Sequence, residues 1–511
     1  MASTVQPSST PLSPHSTESK LTRHVLLCCL MAASAMFIYG YDLVVAGGIG
    51  IMDDFLRKFY PEVLMQKNNA KQDVYCKYRN EAFQLFTSSP FLGAFFAALV
   101  ASIVSSRYGR KPSMLIAGLL FMVGTLLSTL AINIHMLLFG RALLGCGLGF
   151  STQVVPIYIS EIAPPHLRGA MSYISGIYLT CGVLSGNLVN FFAATVHPWG
   201  WRISLGVVTV PALAFILFIF FFNETPTSLI QRGHRSEARD VLTILRGHNE
   251  IDGEFQGLLQ AVVMQQKLER NAFEKLLMSK SKLPQLVIGM ALPFFQQVSG
   301  VDAIAFYGVF IFKMAGFTDN VALYSAVFMG VSSLLGSFIA LFCVDRIGRR
   351  KLLLGGAMTF FLTMVSMAAI FAVGLRGQKK GQKLGHFEGI GEVGLVCVFV
   401  AAFGSSLGPL GYLIPSEIYD SEVRSLGMSA TVCMNMLFKF LLAQTFLSLL
   451  CTLKYGIFVL FASFMLLLIV FTTMLIPETK NIPLHEMENV WASHWLWNKF
   501  ALPPKKLPDF S

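Results

Sequence analysis

The sequence predicts an all-α membrane protein of twelve spanning helices arranged as two six-helix halves, and three observations carry that prediction. Of 511 residues, 54% are hydrophobic and 13% charged, a balance that suits a polytopic membrane protein and not a soluble enzyme. Apolar windows of about twenty residues, long enough to cross a hydrocarbon core of roughly 30 Å, fall at 25–45, 82–104, 113–131, 136–157, 170–193, 202–222, 284–311, 321–342, 352–374, 392–415, 426–450 and 455–476. Finally, three loop motifs recur in order in the two halves. RYGRKP at 107–112 matches RIGRRK at 346–351, PIYISEIAPPHLRGA at 156–170 matches LIPSEIYDSEVRSLG at 413–427, and ETPTSL at 224–229 matches PETKNIPL at 477–484. Glu161 and Glu417 lie 256 residues apart, and Glu224 and Glu478 lie 254 apart, as an internal repeat requires.

Taken along the chain, residues 1–24 form a Ser/Thr/Pro-rich tail with no apolar core or cleavage site, so they read as a disordered cytosolic segment. The N-terminal half runs over 25–222, the C-terminal half over 284–476, and a second cytosolic tail over 477–511. Between the halves, 223–283 carries nine Lys or Arg in RGHRSEARDVLTILRG and its neighbours, the pattern of short amphipathic helices on the cytosolic side. The basic loops after spans two and eight set the orientation, with both termini inside. LRGQKKGQK after span nine is basic yet falls outside in this scheme, and the span count overrules it. Net charge is +11, but its Lys and Arg sit in short loops between apolar runs, which argues for membrane topology and against nucleic acid. Forty-four Phe and forty-three Gly suit helices that pack closely within a bilayer.

The first span holds one carboxylate, Asp42, followed by the apolar, Gly-rich VVAGGIGI. A charge at that depth costs several kcal/mol and calls for a polar cavity, a partner or a function; a helix end in wet headgroups is the plainer reading. Desolvation favours the protonated acid and a nearby cation favours the carboxylate, so such a group can bind protons. Arg141, the one arginine well inside the first four spans, is the expected partner. Protonating Asp42 would break the pair and bias a two-state element.

Most of the nine cysteines lie in apolar runs and read as buried hydrophobes. Cys76 and Cys451 fall in loops that the topology places outside, where a bridge would tie the halves together and chance placement is the alternative. The repeated loop residues Arg107, Arg110, Glu161, Arg168 and Glu224 suggest a cytosolic latch to Arg346, Arg349, Glu417, Arg424 and Glu478, in which only the network counts because each exposed pair is worth under about 1 kcal/mol. No metal-spaced His or Cys cluster, phosphate loop or nucleophile with a base emerges, so enzyme chemistry has no support and no cofactor is expected.

The G-R-K/R loops, SEIAPPHLRG, NETPTSL and PETKNIPL resemble the sugar-porter branch of the major facilitator superfamily, over the whole membrane region. MDDFLRKFYP, YCKYRN, QLFTSS, LLGCGLGF, PQLVIGMALPFFQQ, GPLGYLIPSE and FLSLLC are similar to the plant sugar transport protein group, which implies a major facilitator fold and proton-coupled monosaccharide import across the plasma membrane. The resemblance implies that Asp42 accepts the proton beside Arg141, and that a Cys76–Cys451 bridge holds an extracellular lid made from 46–80. A monomer, with sugar, proton and lipid bilayer as its partners, is expected.

A sugar pocket needs amides that donate and accept together, plus an aromatic wall. Gln296, Gln297, Asn435 and Tyr412 supply them, and Gly408, Pro409, Gly411 and Pro415 give span ten a broken-helix signature. Where the family pattern has Gln this chain has Gly176, where it has two Asn this chain has Asp302 and Ser333, and its indole becomes Tyr412. Each lost partner to a sugar hydroxyl can cost about 1–3 kcal/mol, so a polyol substrate, a proton-independent facilitator or a non-transporting sugar sensor stand as alternatives to hexose import. Lys439 lies one turn from Asn435 and is expected to pair with Asp302, unless each faces its own water-filled vestibule.

Overall fold

The computed structural model describes residues 22–69, 73–164, 167–247, 251–268, 279–374, 386–420, 423–480 and 487–500. Among them twelve segments are long and apolar enough to cross a membrane, beginning with Arg23–Ile49 and ending with Gly456–Leu475. The expectations for 1–21, for LRGQKKGQK, for 481–486 and for 501–511 fall on residues outside the described ones, as does part of the linker, 269–278.

Helix boundaries follow local chemistry. Thr22 caps the first span by accepting from the Val25 N–H, so the helix begins inside the stretch expected to be a tail. It then continues to Ile49, because VVAGGI stays packed among neighbouring helices. The expected lid loop therefore starts after Gly50 and is itself helical, with helices Asp53–Phe59 and Pro61–Asn68 and a short turn Val74–Cys76 before the second span, Glu81–Tyr108. Asn133 caps the fourth span, Ile134–Ile162, by accepting from the Met136 N–H.

Two long spans of the C-terminal half are broken. Span seven, Lys280–Met314, divides into Leu283–Val298 and Val301–Met314 around Gly300, whose φ of +84° lies in the left-handed region that glycine tolerates. An added Cβ there would also stand 2.6 Å from the Phe461 ring. The sequence windows had span seven running unbroken; the signal that was present, Ser299-Gly300 after the paired glutamines, is local backbone chemistry that hydropathy does not register. Span ten, Phe387–Ile418, breaks at Ser406, so Gly408, Pro409, Gly411 and Pro415 lie in its second segment, Leu407–Ile418.

Among the described residues the linker has the helices Pro226–Gln231, Arg235–Arg246 and Asp252–Leu268, which bury a small cluster of Leu229, Ile230, Ala238 and Val262. Arg246 fixes this unit to the N-terminal half by donating to the Ile162 carbonyl at 3.1 Å and pairing with Glu254 at 2.7 Å.

The repeated loops build two matching clusters. Glu224 accepts from the backbone N–H groups of Arg110 at 3.0 Å and Lys111 at 3.2 Å, at the start of helix Arg110–Thr129. Glu478 does the same for Arg349 at 2.9 Å and Arg350 at 3.2 Å, at the start of helix Arg349–Gly374. A carboxylate at a helix N-terminus satisfies free N–H groups and the positive end of the helix dipole. Gly109 and Gly348, at φ of +106° and +98°, allow that approach: an added Cβ would lie 2.3 Å and 2.8 Å from the respective carboxylate oxygens. Arg110 pairs with Glu161 at 2.7 Å and Arg349 with Glu417 at 2.9 Å.

These ion pairs each lie within one half, so the expected pairing of Arg110, Glu161 and Glu224 with Arg349, Glu417 and Glu478 across the halves gives way to pairing inside each. The reason is geometric, since each carboxylate is held by the helix start beside it. Arg107 and Arg346 are exposed at the ends of spans two and eight, Arg424 is exposed at the start of span eleven, and the Arg168 side chain lies outside the described residues.

Candidate functional site

The centre of the site is the first span. Asp42 and Arg141 form an ion pair with both side chains 1% exposed, so the partner expected from sequence is the partner observed. Arg141 also donates to the Phe86 carbonyl at 3.4 Å and lies over the Phe86 ring, 5.1 Å from its centroid. Asp42 Oδ2 has no hydrogen-bond partner, which leaves this carboxylate half satisfied inside the bundle.

The second ion pair belongs to the C-terminal half. Lys439 Nζ lies 2.9 Å from Asp302 Oδ2, so these two residues meet as the sequence suggested. Lys439 also donates to the Tyr39 hydroxyl at 2.7 Å and faces the rings of Tyr39 at 5.1 Å and Phe91 at 5.7 Å. The separate-vestibule alternative is therefore set aside by direct contact.

Around this pair the broken helices bring amides together. Gln296 sits at the end of the first segment of span seven and donates to the carbonyls of Leu407 at 2.9 Å and Gly408 at 3.1 Å. Its Oε1 accepts from Asn435 at 2.9 Å, which joins spans seven, ten and eleven through one side chain. Gly411 makes room for it, since an added Cβ would stand 2.0 Å from Gln296 Nε2. Gln297 Oε1 and Asn435 Oδ1 are buried without a hydrogen-bond partner, exceptions to the usual satisfaction of buried polar atoms.

Tyr412, half-buried in the second segment of span ten, lies within electrostatic reach of Tyr39, Lys439 and Asp302. Ser333 is buried in span eight, its carbonyl 3.0 Å from the position of a Cβ on Gly404 of span ten. Gly176 faces open space, with nothing within 4 Å of an added Cβ.

The two halves are joined at the end that bears the disulfide. Cys76 and Cys451 are bonded, Lys454 pairs with Asp73 at 2.9 Å, and Tyr78 meets Phe310 edge-on at 4.5 Å. Gln84 donates to Ser448 at 3.0 Å, Ser88 to Gln444 at 2.6 Å and Asn187 to the Ala326 carbonyl at 2.8 Å, all between the two halves.

Sequence reasoning missed Tyr39 and Phe91, although Tyr39 lies three residues before Asp42 on one helix and so shares its side. It also missed Glu392, which is fully buried with both oxygens unpartnered. The signal there was a lone carboxylate in GIGEVGLVCVF at the edge of an apolar window.

A family model described as "Sugar (and other) transporter" matches residues 28–491. The chain belongs to this family. Within it the transporter is 44% identical over 484 residues to Sugar transport protein MST4 of Oryza sativa subsp. japonica, covering 94% of this chain and 93% of that protein. It is 41% identical over 485 residues to Sugar transport protein 10 of Arabidopsis thaliana, covering 94% of each. Its fold matches the major facilitator superfamily proton:xylose symporter XylE bound to 6-bromo-6-deoxy-D-glucose, with a TM-score of 0.75 at 23% identity over 92% of this chain and 100% of that one. The transporter thus has the major facilitator fold, and it groups with plant sugar transport proteins.

Proposed function

We propose that this transporter imports a monosaccharide, a hexose in the first place, together with a proton by alternating access. The observation that carries the reading is the buried Asp42–Arg141 pair with one carboxylate oxygen unpartnered. A facilitator has no need to maintain an ionisable pair in hydrocarbon, where charge costs several kcal/mol. The names of relatives, sugar transport proteins among them and a proton:xylose symporter sharing the fold, support the same reading.

Asp42 takes a proton from the outside and loosens its hold on Arg141, which biases the first span toward the conformation that closes over sugar. Gln296, Gln297, Asn435 and Tyr412 hold the ring, and Asp302, Ser333 and Gly176 line the remainder of the pocket. The helical lid after Gly50 and its disulfide face the outside; the basic loops, linker and both termini face the cytosol of a cell bounded by this plasma membrane. Each matched cluster of Arg and Glu stiffens one half, so the halves rock as bodies. The coupling ion is the proton, no cofactor takes part, and one chain suffices. A membrane potential adds about 2.3 kcal/mol per charge per 100 mV to uptake.

The test is uptake of radiolabelled glucose, galactose, fructose and a pentose at two external pH values, in yeast lacking hexose transport, beside Asp42→Asn. The expected result is acid-stimulated uptake of at least one hexose that Asp42→Asn loses while reaching the surface. Uptake that ignores pH in both proteins would make it a facilitator, and surface protein that moves none of the four would make it a non-transporting homologue.

A further inference from the structure

The two buried ion pairs share structural supports. Asp42 and Tyr39 project from the same helix three residues apart. Phe86 and Phe91, both on the second span, each present a ring to one buried cation, Arg141 at 5.1 Å and Lys439 at 5.7 Å. Phe91 in turn stacks on Phe306, in the same segment of span seven as Asp302, at 5.0 Å. The one hydrogen bond between these pairs that crosses from half to half is the 2.7 Å bond from Lys439 to the Tyr39 hydroxyl.

We propose that Tyr39 and Lys439 are positioning residues that carry the state of Asp42 into the sugar pocket. The reading rests on the proton-coupled function proposed above and adds to it the path by which proton and sugar are linked. When Asp42 is ionised and held by Arg141, the first span is fixed in rotation and depth, and Tyr39 stands where Lys439 can bond it. Lys439 then divides its N–H groups between Tyr39 and Asp302. When Asp42 is neutral, the first span is released from Arg141, the Tyr39 hydroxyl shifts, and Lys439 turns its hydrogen bonds toward Asp302 and the sugar. The charged and titratable groups facing this junction are Asp42 from span one, Asp302 from span seven, Tyr412 from span ten and Lys439 itself. Through Tyr39, Phe91, Asp302, Tyr412 and Lys439 itself, five spans from both halves therefore meet at one ammonium group.

The contact has the properties that coupling requires. A hydrogen bond to a charged donor is about twice as strong as a neutral one, so its making or breaking is felt at both ends. It joins elements that move relative to one another when the halves rock, so its strength differs between states. Removing only the hydroxyl leaves the Tyr39 ring over Lys439 and the Asp302 pair in place.

The experiment uses purified full-length transporter in proteoliposomes, comparing the unmodified chain, Tyr39→Phe and Asp42→Asn, with glucose as the probe. Two quantities are measured: proton-driven accumulation of labelled glucose at two external pH values, and glucose counterflow exchange with no pH gradient. For Tyr39→Phe the expected result is persistent exchange, with accumulation reduced about fivefold or more, the range in which coupling energies between sites lie, and with a flattened pH profile. The pair of changes Asp302→Asn and Lys439→Gln, made together so that no charge is left alone, is expected to flatten the pH profile in the same way. Tyr39→Phe with full accumulation and an unaltered pH profile overturns the inference, as does the double variant with its pH dependence intact. If Asp42→Asn itself accumulates glucose like the unmodified chain, the symport reading fails first and is identified as the cause.

Discussion

Lys439 shows why a single residue in this bundle cannot be judged alone. Its ammonium is buried and has Asp302 and Tyr39 as partners at 2.9 Å and 2.7 Å. Breaking a buried pair by removing one member leaves an uncompensated charge, at a cost of about 3–5 kcal/mol, whereas removing both is often close to neutral. Lys439→Met alone is therefore expected to lower the unfolding temperature of the detergent-purified protein more than Lys439→Met combined with Asp302→Asn. A thermal scan of the two variants checks this, and a double variant no more stable than Lys439→Met alone would count against the pair. At this scale the sequence was most legible where an ionisable group stood in an apolar run: Asp42, Arg141, Asp302 and Lys439 each marked themselves by their cost, and two pairings followed. Tyr39 and Phe91 were hidden because an aromatic residue in an apolar helix is unremarkable by composition. Only its neighbours across the halves give it a role.

The elements that most shape the site are those whose geometry departs from a plain helix. Gly300 and Ser406 break spans seven and ten, and the breaks bring Gln296 to the second segment of span ten. Span ten announced its irregularity through Gly and Pro, though the break lies just before them; span seven did not, since a left-handed glycine has no hydropathic signature. The lid was legible as a polar loop with a cysteine but not as two short helices packed by Phe55, Phe59, Tyr60 and Trp201. Because the Cys76–Cys451 bond ties this lid to the last turn of span eleven, Arg424–Leu453, and not to the loop that the sequence suggested for Cys451, a thiol reductant applied outside is expected to raise the KM for sugar in the unmodified transporter. Cys76→Ser is expected to show the raised KM without reductant and no further response to it. Uptake kinetics with and without dithiothreitol measure both, and a Cys76→Ser variant with unaltered KM would remove the lid from the account of sugar affinity.

For the whole molecule, the internal repeat was readable from three motifs, and the structure gives it physical meaning in two clusters built alike around Arg110 with Glu161 and Glu224, and Arg349 with Glu417 and Glu478. What spacing did not disclose is that these contacts close within each half, because separation along the chain says which residues correspond and not which ones touch. Stiff halves held together at the disulfide end by Gln84, Ser88 and Asn187 are suited to rocking about a central site. On the proposed function, sugar and proton cross together because Asp42 answers to both. The most direct measurement is sugar-induced proton influx into proteoliposomes that enclose a pH-sensitive dye, with glucose added outside and no imposed gradient. Symport through Asp42 predicts acidification of the lumen on adding glucose, absent with Asp42→Asn; glucose entering liposomes of the unmodified protein with no change in luminal pH would contradict it.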